Sequence, residues 1–184
     1  MHKTKKQIRK ELLRKLNSQA REKALKKSSI IKEKLFSLPE FKKSKFVMLY
    51  ASKSNEVNTK TIIDEALKMG KRVVLPRCTS QKGIVPKEIR NTHTDLEKGI
   101  YGIRQPRECQ RSLQPRKINL IVVPGVAFDK QNRRLGRGKG YYDRFLKKLP
   151  RNKISIGLAF DFQIVENLPE DSHDIPVSKV ITDR

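Results

Sequence analysis

Residues 119 to 149 read NLIVV-PG-VAFDKQNRRLGRGKG-YYDRFLKKL, from Asn119 to Leu149. Leu120 to Val123 is continuously apolar, as in a strand buried on both faces, and Pro124-Gly125 closes it. At the far end Tyr142, Phe145, Leu146 and Leu149 stand at i, i+3, i+4 and i+7. That spacing marks one side of a helix running from about Gly140 to Leu149. Strand, loop and helix in that order form the first part of a βαβ unit. Ligands in such sheets sit beyond the carboxyl ends of the strands, which is where the intervening loop lies.

The loop carries Gly136, Gly138 and Gly140 at alternate positions, with Arg133, Arg134, Arg137 and Lys139 among them. Glycine costs roughly 1 kcal/mol relative to alanine in a regular element, so three in five residues imply close approach to a ligand or positive φ. The cations imply that the ligand is anionic. Asp143, in the first helical turn, is the kind of group that holds a hard divalent cation beside a polyphosphate, or else it complements the helix N-terminus. A flexible basic loop is the competing reading, and these residues alone leave both open. The spacing is neither G-x-G-x-x-G nor G-x-x-x-x-G-K-[ST]. Anion binding at the start of the next helix contributes only about 0.3–1 kcal/mol. Charge-assisted bonds from Arg137 or Lys139 contribute about 1.5–3 kcal/mol each, so side chains should dominate.

Outward from this unit, Phe46 to Ala51 and Ile154 to Phe160 read as further buried strands. Arg72 to Leu75 reads as a short one ended by Pro76, and Val177 to Thr182 as a last edge strand. Asn58 or Thr59 caps a helix whose inner side carries Ile62, Ile63, Ala66, Leu67 and Met69, and Gly70 ends it. Residues 78–114 are irregular, with short strands near Ile84 and Ile103. The N-terminal segment reads as one long helix over about residues 3–36, with a break near Ser28-Ser29. Its apolar stripe is Ile8, Leu12, Leu16, Ala20 and Ala24. At 100° per residue Lys5 and Arg9 fall on the side of that stripe, where they face protein or ligand, or else snorkel from a frayed helix start. The expected fold is a single α/β domain over residues 1–184. It is three-layered α/β/α and Rossmann-like, with the long helix packed on a central, largely parallel (mixed) sheet.

The chain has 184 residues and a formal charge of +24. Its cations are spread along the whole length rather than gathered in a tail, which fits a surface that concentrates anionic small molecules. Cys78 and Cys109 belong to no C-x-x-C or Cys/His pattern, and two idle thiols in a reducing compartment is the default. Met1 to Lys27 is interrupted by charges every few residues, unlike a secretory segment. No apolar run approaches the roughly 20 residues of a membrane span. A cytoplasmic location without membrane partners is expected.

With these features in place the chain resembles the 5-formyltetrahydrofolate cyclo-ligase family, also called methenyltetrahydrofolate synthetases. The resemblance rests on Val123 to Asp129 followed by Arg134 to Asp143. Lys5 to Arg9, Tyr50 to Thr59 around Glu56-Val57, Tyr101 to Pro106, and His173-Asp174 leading to Thr182 support it. It implies ATP- and magnesium-dependent closure of 5-formyltetrahydrofolate, with or without a polyglutamate tail, to 5,10-methenyltetrahydrofolate. ADP and phosphate would be released through a phosphorylated formyl (iminophosphate) intermediate. Such attack is intramolecular, so positioning and charge neutralisation suffice and no nucleophilic side chain is needed.

By the same resemblance, the ATP site comprises Lys5, Lys6, Gln7, Ile8 and Arg9 together with Arg134, Leu135, Gly136, Arg137, Gly138, Lys139, Gly140, Tyr141 and Tyr142. Arg137, Gly138, Lys139, Gly140 and Tyr141 also reach the folate, which Ala51 and Glu56 bind. Arg137, Lys139 and Tyr141 are the implied catalytic residues, and Asp143 and Asp174 the implied Mg2+ ligands. Three positions depart from the family pattern: Gln105, Asn119 and Ser178. A monomer with no specific nucleic-acid partner is expected. The alternatives are a basic RNA-binding module, for which aromatic stacking residues are few, and a related phosphosugar or CoA-type α/β enzyme.

Overall fold

The computed structural model describes every residue except Met1, His2, Lys82, Ile100, Tyr101 and Arg151. Tyr101 of the middle motif therefore lies outside the described residues. The helices are α1 (Lys5–Asn17), α2 (Arg21–Ser37), α3 (Pro39–Lys43), α4 (Thr59–Lys68) and α5 (Tyr141–Lys147). The strands are β1 (Phe46–Met48), β2 (Arg72–Cys78), β3 (Ile84–Ile89), β4 (Leu96–Lys98), β5 (Arg104–Pro106) and β6 (Leu120–Val123). They continue with β7 (Ala127–Asp129), β8 (Arg134–Leu135), β9 (Ile154–Leu158), β10 (Ile164–Val165) and β11 (Lys179–Ile181).

Six strands form the central sheet in the order β11-β9-β6-β1-β2-β3, parallel throughout except for the β2–β3 pair. Alternate residues serve opposite faces, as strand pleating requires. Val47, Val73, Leu75, Leu120 and Val122 meet Ile31 and Leu35 of α2, Phe41 of α3 and Ile62, Ile63 and Ala66 of α4. Met48, Val74, Ile121 and Val123 meet Phe145 and Leu146 of α5, together with Leu113, Ile118 and Val177 from irregular segments. The predicted three-layer, mixed α/β architecture is what forms, although one helical layer is much thinner than the other.

Two boundaries differ from the sequence reading. The N-terminal helix breaks at Ser18–Ala20, not at Ser28-Ser29. Ser28 lies inside α2, where its hydroxyl donates to Ala24 O (2.7 Å) and accepts from Asn58 N (3.0 Å). Back-bonding to the i−4 carbonyl is how a helix tolerates an interior serine. Pro76 does not end β2: it faces Pro86 across the antiparallel pair. Two residues without N–H groups can oppose each other at a non-hydrogen-bonded position at no cost in ladder bonds.

A second, three-stranded sheet, β10-β7-β8, grows from the segment after β6. Its hairpin turn is held by the buried Asp129 carboxylate. That group accepts from the N–H groups of Gln131 and Arg133 (both 3.0 Å), Leu168 N (3.0 Å) and Arg133 Nε (2.7 Å). The start of α1 packs here, Ile8 and Leu12 lying against Val126, Ala127, Leu135 and Leu168. Thr4 and Gln7 cap that helix reciprocally, which fixes where it begins and hence where Lys5 and Arg9 point.

The three departures from the family pattern serve the framework. Asn119 Oδ1 accepts from Lys45 N and Phe46 N (3.1 and 2.8 Å), tying the start of β6 to that of β1. Ser178 exchanges hydroxyl and amide bonds with Ser155. Gln105 Oε1 accepts from Cys78 N at 3.4 Å.

Candidate active site at the topological switch point

From β1 the chain runs through α4 to β2 on one side. From β6 it runs through α5 to β9 on the other. β1 and β6 are neighbours, so their following loops part in opposite directions and leave a crevice, the usual ligand position in open α/β sheets. One wall is residues 49–58 and the other is residues 124–140.

The first wall is fastened by its own turns. Thr59 Oγ1 accepts from Ser52 N (3.0 Å) and donates to the Tyr50 carbonyl, and Ser52 Oγ accepts from Thr59 N (3.1 Å). Glu56 Oε2 accepts from Lys53 N (3.0 Å), which sets the carboxylate's direction. Ala51 is partly buried beside Tyr50, which is 5 % exposed.

The second wall is the glycine loop. Gly138 (φ +94°) and Gly140 (φ +66°) occupy left-handed backbone that a side chain would strain, as the sequence implied. Gly136 has ordinary φ, but an added Cβ would lie 2.7 Å from Arg134 Nη1. Arg9 Nε donates to Gly136 O (3.0 Å), and its guanidinium lies against the bare face of Gly138. Across the crevice Arg137 donates to Glu56 Oε1 from Nη2 (2.8 Å) and Nε (3.1 Å), and Nη2 also approaches Asn55 Oδ1 (3.4 Å). Tyr141 Oη donates to Thr79 O (3.4 Å). Arg144 stacks on the Tyr141 ring at 5.7 Å and donates to Lys139 O (2.8 Å). The Lys139 side chain is exposed.

The carboxylates proposed to hold metal stand on one side of this loop. Asp143 Oδ1 pairs with Arg134 Nη2 (2.6 Å) and accepts from Ile175 N (3.4 Å). Asp174 is the residue before Ile175, which brings the two carboxylate-bearing segments together. Lys5 Nζ bridges Asp174 and Asp171 (2.6 Å to the latter), and Asp174 Oδ2 also accepts from Asp171 N (2.9 Å). Asp171, His173 and Asp174 each offer a ligand atom within 4.8 Å of one another. Hard oxygen donors already gathered around an ammonium suit a divalent cation such as magnesium. Burial would raise the Asp174 pKa, but hydrogen bonds from Lys5 Nζ and Asp171 N, with the charges of Lys5 and His173, outweigh it and leave it lowered.

Lys5, Arg9, Arg134, Gly136 to Tyr142, Asp143, Asp174, Ala51 and Glu56 therefore share one end of the sheet. Others in the implied ligand set do not present a side chain there. Ile8 and Leu135 are buried in the packing of α1 on the small sheet. Gln7 Oε1 is spent on the helix cap, accepting from Thr4 N at 2.8 Å, and Lys6 is exposed. Arg133, counted among the loop's cations, is held by Asp129, Gln131 and Asn167 away from the crevice. Sequence reasoning passed over Asp171, Asn55 and Tyr50. Only Asp171 left a usable trace, as a second acid three residues before Asp174. Both cysteines are free, and no described helix is long and apolar enough to cross a membrane.

The model of the 5-formyltetrahydrofolate cyclo-ligase family matches residues 1–183. The mouse 5-formyltetrahydrofolate cyclo-ligase is 33% identical over 185 residues, covering 95% of this chain and 91% of the relative. A protein named probable 5-formyltetrahydrofolate cyclo-ligase from Caenorhabditis elegans is 35% identical over 188 residues, covering 95% and 89%. The solution structure of Aquifex aeolicus 5,10-methenyltetrahydrofolate synthetase superposes with a TM-score of 0.87 at 38% identity, covering 98% of this chain and 90% of that one. The synthetase of Mycoplasma pneumoniae superposes with a TM-score of 0.80 at 29% identity, covering 98% and 99%.

Proposed function

The chain belongs to the 5-formyltetrahydrofolate cyclo-ligase family, and from that premise we propose that it closes 5-formyltetrahydrofolate to 5,10-methenyltetrahydrofolate at the expense of ATP. The observation that carries this reading is the convergence of Lys5, Arg9, Arg137 and Glu56 on the glycine loop at the switch point.

The formyl oxygen is a poor leaving group, so a phosphoryl group is first transferred to it, giving an iminophosphate. N10 of the same molecule attacks the formyl carbon, and the C–O bond breaks with release of phosphate. The protein's share is orientation and charge stabilisation. Arg137 and Lys139 neutralise the transferring phosphoryl, and Tyr141, anchored at Thr79, keeps the loop's end in register. Lys5 and Arg9 hold the ATP phosphates from the α1 side, and Glu56 with the Ala51 segment holds the folate. Asp143 and Asp174, with Asp171 beside them, would hold Mg2+, which supplies neutralisation of polyphosphate charge when bound.

The nearest cations favour an enzyme over an RNA-binding surface. Lys5, Arg134 and Arg137 are each aimed at a carboxylate within the crevice rather than arrayed on an open face. Purified protein given ATP, magnesium and 5-formyltetrahydrofolate should generate the near-UV absorbance of the methenyl product, dependent on all three. Folded protein that yields no product rules the reading out.

A further inference from the structure

Two polar atoms at the floor of the crevice are buried with no hydrogen-bond partner among the described residues: Tyr142 Oη and Arg134 Nε. They belong to adjacent side chains, the Arg134 guanidinium carbon lying 6.0 Å from the Tyr142 ring centre. Arg134 has a structural use for its other nitrogens, on Asp143 and Pro124 O. The Tyr142 hydroxyl has none. Its ring packs against the core layer that includes Met48, Val74 and Val123, so the hydroxyl is not free to swing into water. Buried polar groups in native proteins are nearly always paired once ligands and water are counted, so an orphaned hydroxyl inside a crevice points to a missing partner.

Burial, reinforced by the neighbouring Cys78 and Glu56, pushes the Tyr142 pKa far above its ordinary value. The group is a neutral phenol at physiological pH and has a proton to donate. Glu56, on the opposite wall, is a fixed acceptor, and Tyr50, buried on the same wall, also feels Glu56 and Tyr142. An acceptor beside a donor forms a hydrogen-bonding edge. The pterin of a tetrahydrofolate presents the complementary edge: a 2-amino group and N3–H as donors, then the C4 carbonyl as acceptor.

We propose that Tyr142 is a specificity-determining residue, its hydroxyl donating to the C4 carbonyl of the pterin while Glu56 accepts from the neighbouring N–H groups. This rests on the folate reading above. It assigns the Tyr142 hydroxyl to the folate rather than to ATP, and it explains why a buried hydroxyl stands idle in the ligand-free protein. A 4-amino analogue of the substrate would present a donor to a donor, and the site should reject it.

The test is equilibrium binding of 5-formyltetrahydrofolate and its 4-amino counterpart, measured by calorimetry without ATP, to the wild-type chain and to Tyr142→Phe. The wild type should prefer the 4-oxo compound. Tyr142→Phe should weaken 4-oxo binding about tenfold or more, narrow the preference, and leave both the melting temperature and the KM for ATP unchanged. Unchanged folate affinity overturns the proposal, and so does a loss confined to ATP. A lower melting temperature with unaltered folate affinity would give the hydroxyl a structural partner and overturn it equally. A wild type that neither binds nor converts the substrate removes the folate reading itself. A wild type that does both, with an indistinguishable Tyr142→Phe, removes this assignment alone.

Discussion

Two arginines three residues apart in the same loop do opposite work. Arg134, whose side chain is 3 % exposed, sits in β8 and spends its guanidinium on Asp143, Pro124 O and the Tyr142 ring. Arg137, whose side chain is 35 % exposed, crosses the crevice to a carboxylate 81 residues away in sequence. The pairs have similar lengths, 2.6 and 2.8 Å, so distance does not separate them. Surroundings do. Removing one member of a desolvated pair strands a buried charge, whereas an exposed pair is nearly neutral in stability and free to exchange partners. The buried end of the loop is framework, and the open end is where a ligand's charge can replace the protein's own.

That contrast is open to direct attack. Arg137→Ala should lower turnover about 10³-fold, the scale of losing a charge-stabilising group in phosphoryl transfer, while moving the melting temperature by no more than about 2–4 °C. Steady-state kinetics beside a thermal melt would check it, and a variant of near-normal turnover would break the division. Arg134→Ala should do the reverse first, costing about 3–5 kcal/mol in urea unfolding because Asp143 is left buried and unpaired. Wild-type stability there would mean that the pair is not framework.

A smaller effect is expected where α1 meets Asp174. Its pKa is lowered from 3.8 in the fold, so its contribution to stability is present above that ordinary value and is lost as pH falls through the lowered one. Urea midpoints measured down through this acid range should show the loss in the wild type. Lys5→Met should lack most of it at neutral pH and show a flatter profile. Smallest of all, Asn55→Ala removes bonds to Asn17 and Arg137 at the exposed end. It should cost about 0.5–1.5 kcal/mol and shift turnover less than threefold. A large kinetic effect would move the boundary of the chemical end outward.

The central sheet was legible because Phe46 to Met48, Leu120 to Val123 and Ile154 to Leu158 are apolar runs that only a doubly covered strand explains. The small sheet was not, since strands of two or three residues such as Arg134–Leu135 carry too little alternation to show a period. Within the site, the glycines and the inward direction of Lys5 and Arg9 could be read from local pattern and helical spacing. Their partners could not. Lys5 to Asp174 spans 169 residues, and a contact at that distance imprints nothing on local sequence. Nor does composition separate Arg133, tied to a hairpin acid, from Arg137, which crosses the crevice.

The seating of α1 also bears on how the chain is made. Translation produces Lys5, Ile8, Arg9 and Leu12 first, yet everything they touch emerges much later: Val126, Leu135 and Gly136, then Leu168, Asp171 and Asp174. Until then a nascent chain displays a cationic amphipathic helix with no seat, while the Phe46–Val74 part of the sheet is already outside the ribosome. Strands β1 and β2 with α4 can assemble during elongation, because their contacts are local. The crevice cannot. Its completion waits for the segment beyond residue 168, so a chain that stops earlier has much of the core and none of the assembled site.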